Sequence, residues 1–159
     1  GVKAYADHQK GLCTYDVEQV VLAIVVTTGI ASIFLTKDCT PDYNSGLAHA
    51  VFYALTSYPV IEKLHLHGEV VGFGVLLALL VDRQEEEFEK IYKLNREIGL
   101  PVSLKEIEIT EDEWEESMNR IPEMSDVAHY PYRVTKEMLR DAMDRLKERA
   151  GKDAYDTEK

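Results

Sequence analysis

Cysteine is scarce in this chain: Cys13 and Cys39 are the only two in 159 residues. They form no C-x-x-C pair, and a structural zinc site normally takes four clustered ligands, so a zinc-stapled fold is excluded. No secretory leader is expected, and both are expected to be reduced thiols of a cytoplasmic protein rather than a disulfide. Cations are also few, 18 Lys and Arg against 29 Asp and Glu, for a net charge of −11. Phosphate recognition needs clustered Lys and Arg, so neither nucleic acid nor an anionic membrane is an expected partner. Segments of strand period are nearly missing. No βαβ pattern with a glycine-rich phosphate loop occurs, which removes the usual signature of a nucleotide-binding domain. Gly68, Gly72 and Gly74 lie in or beside an apolar helical segment, where close packing is the simpler use for them. The run Val20 to Thr36 is slightly short for a bilayer span and is interrupted by Thr27, Thr28, Gly29 and Ser32; Val70 to Val81 is shorter still. Both are expected to be helices buried on nearly all sides.

What is present reads as helix. Val2 to Gln9 is a short helical segment, and Asp16 can cap a long apolar helix from about Val17 to Leu35. Residues 37–46 are dense in turn formers and read as a loop. A helix over Leu47 to Ser57 is broken by Pro59, with a short connection from Val60 to Leu66. Glu69 to Arg83 is a second apolar helix, and Glu85 to Ile98 a charged one that stops at Gly99-Leu100-Pro101. Ser103 can cap a single turn from Leu104 to Ile107. Thr110 with Glu113 is a capping-box pattern for a helix to about Arg120. A loop holds Pro122 and Pro131, and Met138, Leu139, Ala142, Met143 and Leu146 stripe one face of a last helix. The acidic runs at residues 85–87 and 111–116 are solvated helix faces. The expected architecture is all-α: a single helical bundle domain over residues 1–150 and a polar, frayed tail over 151–159.

The residues that carry chemistry are histidines. His49 in Ser45-Gly46-Leu47-Ala48-His49-Ala50 and His67 in His67-Gly68-Glu69 each adjoin a helical apolar run. Neutral imidazole is the commonest protein ligand for a transition metal, and two helices that each present one near an end can share an ion. A lone histidine at a helix end is more often a cap or a core residue. His65 is expected to be exposed or to support another ligand, and His8 to lie on the surface.

The segment from Leu64 to Leu76, Leu-His-Leu-His-Gly-Glu-Val-Val-Gly-Phe-Gly-Val-Leu, resembles the H-G-E-x-V-x-F-G-x-L stretch of glycerol dehydrogenases in the iron-containing (group III) alcohol dehydrogenase superfamily. Ile98-Gly99-Leu100-Pro101 is similar to that family's I-G-L-P stretch, and Val134-Thr135-Lys136-Glu137 to its entry into the last helix. The resemblance implies the helical C-terminal domain of the dehydroquinate synthase-like fold, with the nucleotide-binding domain outside this chain. It implies His49 and His67 as ligands of one zinc or iron ion. The family's third ligand, an aspartate, aligns ahead of Gly1; Asp38 or Asp42 could replace it only in principle. Relatives commonly carry a second histidine three residues after the first, where this chain has Phe52 with Tyr53 following, so a less polar substrate or a degenerate site is implied. His129 resembles a family position near the cleft, as Phe52 does; Tyr130 and Tyr132, beside Pro131, are expected to pack the loop.

The implied function is that of a fragment or truncated form of an NAD-dependent dehydrogenase for a small alcohol or polyol. The metal would polarise the substrate hydroxyl for hydride transfer to the nicotinamide. The chain is expected to be inactive alone and to form homo-oligomers. The alternative is a non-catalytic oligomerisation or binding domain derived from the same family. Dehydroquinate synthase-like and glycerol-1-phosphate dehydrogenase-like readings fit less well, because phosphate-bearing substrates favour basic clefts and no Lys or Arg lies between Lys37 and Lys63.

Overall fold

The structure, a computed structural model, describes residues 1–35 and 45–157. The described residues contain helices and no strand, as the patterning predicts. The chain divides into two compact units, residues 1–44 and 45–159.

In the first unit, α1 (Val2–Gln9) packs on α2 (Tyr15–Leu22). Thr14 Oγ1 donates to Asp7 at 2.8 Å, Lys3 pairs with Asp16, and Gly11 turns the chain at φ +69°. The long helix continues from α2 through a π segment, Ala23–Thr28, into α3 (Gly29–Leu35). The Thr28 hydroxyl donates to the Ala23 carbonyl five residues back, at 3.4 Å, within that wider turn. Burial on all sides was expected here, and the structure differs. Ile24, Val25, Val26, Ile33 and Phe34 are exposed, and none of the apolar window is buried. Tyr15–Phe34 spans 20 residues with mean hydropathy 2.0, so by length and composition it reaches across a bilayer's apolar core. Hydropathy predicts that such a helix prefers cover, not what covers it.

The second unit is built on two helices, α4 (Leu47–Leu55) and α6 (His67–Val81). They run antiparallel: Ala48 lies against Gly74, and Phe52 against His67. A Cβ on Gly74 would stand 2.6 Å from the Ala48 carbonyl oxygen, so glycine is what lets the two backbones meet. The predicted packing role of the glycines therefore holds for Gly74. Here α6 does become the buried apolar helix, with Val70, Phe73, Leu76, Leu77 and Leu80 enclosed. Each such side chain contributes roughly 1.5–3 kcal/mol by leaving water.

Around this pair lie α7 (Glu85–Ile98), α8 (Glu111–Arg120) and α9 (Lys136–Thr157). Phe88 and Tyr92 of α7, Trp114 and Met118 of α8, and Leu139, Ala142, Met143 and Leu146 of α9 face the core. Gly99 ends α7 in the left-handed conformation at φ +76°, and the Thr110–Glu113 capping box opens α8 as predicted. Three segments differ from expectation. Residues 59–64 form a helix, α5 (Pro59–Leu64), because a proline that ends one helix can open the next from its first position. Two 3-10 turns, Ile121–Glu123 and Ser125–Val127, occupy the expected loop. And α9 runs past residue 150 to Thr157 instead of fraying. Arg149 pairs with Asp153 one turn on, and the Tyr92 hydroxyl donates to Asp153 at 2.9 Å.

Candidate metal centre

The antiparallel crossing of α4 and α6 brings together the residues that the sequence singled out. His49 is the third residue of α4, still in its first turn, and His67 is the first residue of α6. The α6 terminus is fixed by Glu69, whose carboxylate accepts the Leu66 N–H at 2.9 Å. The centroids of the His49 and His67 rings lie 5.5 Å apart, tilted by 42°. Two imidazoles that share a tetrahedral ion through nitrogens at about 2.1 Å hold their centroids roughly 5.2 Å apart. The observed spacing therefore suits two ligands of one ion. His49 is half-buried and His67 exposed, which leaves the pair open to solvent.

Phe52, one turn beyond His49, meets the His67 ring edge to face at 4.4 Å and 79°. Tyr53, at i+4 from His49, stands 6.4 Å from it and completes an aromatic border. Tyr53, which follows Phe52 in the sequence and was read with it as a sign of a less polar or degenerate site, lies at helical spacing from His49. His129 lies in the exposed segment after the second 3-10 turn, beside Tyr130.

His65 was expected at the surface or in support of a ligand. Its side chain is only 11% exposed and sits between two carboxylates, with Nδ1 3.6 Å from Glu69 and Nε2 3.4 Å from Glu108. Glu108 reaches it from a turn in which its own φ is +55°. His65 thus links the start of α6 to the 104–109 segment, on the same carboxylate that caps the helix bearing His67. Among the described residues, no group of three His, Cys, Asp or Glu side chains could hold a metal ion, so the pair supplies two donors. Asp38, Asp42 and Cys39 lie outside the described residues, and Cys13 is a free, exposed thiol in the first unit.

The all-helical fold is consistent with the C-terminal domain of the iron-containing alcohol dehydrogenases. The comparisons narrow the class. The chain is 33% identical to a glycerol dehydrogenase of Pseudomonas putida over 117 residues, 70% of this chain and 28% of that protein. It is 44% identical to one of Thermotoga maritima over 63 residues, 38% of this chain and 16% of that protein. A probable glycerol dehydrogenase from Sinorhizobium meliloti superposes with a TM-score of 0.71 at 26% identity, covering 91% of this chain and 40% of that one. A glycerol-1-phosphate dehydrogenase of Nitrosopumilus maritimus is 28% identical over 97 residues, 60% of this chain and 25% of that protein. No protein-family model matches. Glycerol dehydrogenase homologues thus cover 70% of the chain, and the helical C-terminal domain of that family fits its all-helical fold. It spans 28% of the length of the Pseudomonas putida relative.

Proposed function

We propose that this chain is the metal-bearing helical part of an NAD-dependent dehydrogenase for a small alcohol or polyol, with His49 and His67 as two ligands of a divalent zinc or iron ion. The observation that carries the reading is the 5.5 Å separation of the two rings, on segments that resemble the family's ligand positions. Such an ion would act as a Lewis acid that lowers the pKa of a substrate hydroxyl. The chain's own residues fix the rest. The α4–α6 crossing holds the imidazoles at one distance, Glu69 anchors the helix end that carries His67, and Phe52 and Tyr53 give the site an apolar border. The nicotinamide cofactor and the third ligand belong to the remainder of the enzyme on this reading, so the chain alone would bind metal weakly and turn over nothing. Affinity follows ligand count and preorganisation. Zinc titration calorimetry on the chain, His49→Ala and His67→Ala tests it. One site that either substitution abolishes is expected; equal binding by all three proteins would refute the pair.

A non-catalytic association domain is the second reading, and the uncovered apolar surface of Tyr15–Phe34 favours it. Exposed apolar patches of that kind mark association surfaces. Light scattering should then give a dimer or larger species, which Val25→Asp shifts toward monomer. A monomeric parent chain would count against self-association.

A further inference from the structure

A closed protein zinc site takes four donors in a tetrahedral arrangement, and the His49–His67 pair supplies two. Among the described residues, no group of three His, Cys, Asp or Glu side chains includes the two imidazoles. The pair also opens to solvent, with His67 and Gly68 exposed at the first turn of α6. The backbone leading into that turn is extended at His65 and Leu66, which sends alternate side chains to opposite sides. His65 turns inward, while Leu64 and Leu66 point outward at 66% and 73% exposure. On α4, Tyr53 is 47% exposed, with its ring 5.4 Å from that of Phe52. Two donors that leave an ion's shell incomplete are thus bordered by apolar side chains that face water. Apolar side chains exposed together in this way mark a contact surface.

We propose that the partner for this surface is a second copy of the chain, bridged through one divalent ion held by His49 and His67 of each copy. The proposal rests on the reading of that pair as a metal site, and it names what completes the site. For the chain by itself, a second copy supplies what the remainder of an intact enzyme otherwise would. A two-fold pairing gives both copies the same part, so two donors from each make the four that zinc takes. An unrelated partner would have to bring two donors of its own, whereas a second copy brings them with a matching apolar border. The same pairing takes Tyr53, Leu64 and Leu66 out of water, which the single chain does not.

The test is a zinc titration of the whole chain, followed by calorimetry and by light scattering. Binding should saturate at one zinc for two chains. The mass should double from its zinc-free value and fall back when a chelator removes the metal. The apparent affinity should rise about tenfold when the chain concentration is raised about tenfold, because a bridged pair forms by mass action. A site within one chain binds equally at every dilution. Both measurements are repeated in Val25→Asp, so that association through the apolar helix is not counted. His67→Ala changes an exposed side chain and should show neither binding nor doubling. One zinc per chain without a rise in mass, lost in His67→Ala, overturns the shared site and leaves the metal reading standing. A doubling that persists in His67→Ala overturns it as well, since zinc then bridges other side chains. No zinc bound by the parent, or equal binding by His67→Ala, means that the metal reading itself has failed, and the shared site falls with it.

Discussion

Replacing Gly74 with alanine adds one carbon at a place with no room for it. That Cβ would stand 2.6 Å from the Ala48 carbonyl oxygen, 2.9 Å from its Cα and 3.1 Å from its carbonyl carbon. Normal non-bonded contact begins at about 3.5 Å, so α4 and α6 must part by close to 1 Å. All three obstructing atoms are backbone, and no rotamer change relieves them. Overpacking of this kind costs roughly 1–3 kcal/mol or more, whereas alanine in a helix interior returns about 1 kcal/mol of propensity. The clash should win, and thermal unfolding followed by circular dichroism should give a melting temperature lower by about 2–4 °C per kcal/mol of net loss. Gly72→Ala is the matched control. Its Cβ would meet only the Leu100 Cδ1 at 3.5 Å and the Asn95 amide nitrogen at 3.9 Å, which is ordinary contact. Gly72→Ala should therefore be neutral or slightly stabilising. Since Ala48 adjoins His49, Gly74→Ala should also weaken zinc binding, by shifting one imidazole away from the other. Gly74→Ala with parental stability, or equal effects from the two substitutions, would refute the close crossing.

Three further outcomes are expected. Thr110→Ala removes the side chain that accepts the Glu113 N–H at 3.3 Å, and urea unfolding should show a loss of about 1 kcal/mol. Asp153 is held below its usual pKa: burial opposes ionisation, but the hydrogen bonds from Arg149 and Tyr92 outweigh it. A carboxyl depressed in the folded state contributes stability above its unfolded pKa of about 3.9 and loses it as pH falls through the lower folded value. Acid unfolding below about pH 4 should therefore be less steep in Asp153→Asn than in the parent. Phe52→His places a third imidazole where the present ring lies 4.4 Å from His67 and one turn from His49. Calorimetry should find zinc bound about tenfold tighter or better, since affinity follows ligand count.

Local chemistry was the part of the fold that the sequence made legible. The capping box at Thr110 and Glu113, the glycine stop at residue 99 and the amphipathic stripe of α9 each have a cause within one or two turns. The misreadings have nonlocal causes. Pro59 signals a break, but only Tyr58 in extended conformation ahead of it shows that the break also opens α5. The extension of α9 depends on Tyr92, Glu89 and Arg149 meeting across two helices, with the Arg149 guanidinium 4.5 Å above the Tyr92 ring. The two long apolar runs look alike in sequence and end differently. One is enclosed by α4, α7 and α9, and the other has little packed on it within its own unit.

The same distinction holds at the candidate metal centre. His49, His67 and the departure at Phe52 were legible because the motif words place them, and helical spacing then adds Tyr53. The motif could not reveal why the imidazoles meet at a usable distance. That depends on Gly74 admitting the Ala48 backbone and on Glu69 holding the α6 terminus. Neither of the two is a candidate ligand, yet each acts on a helix that carries one of the histidines. A side chain that coordinates can be read from its own letter and neighbours, whereas the distance between two such side chains is a property of packing. For this chain the imidazole separation, more than the identity of the histidines, decides whether an ion can be shared. The Gly74→Ala variant changes that separation while leaving both histidines in place.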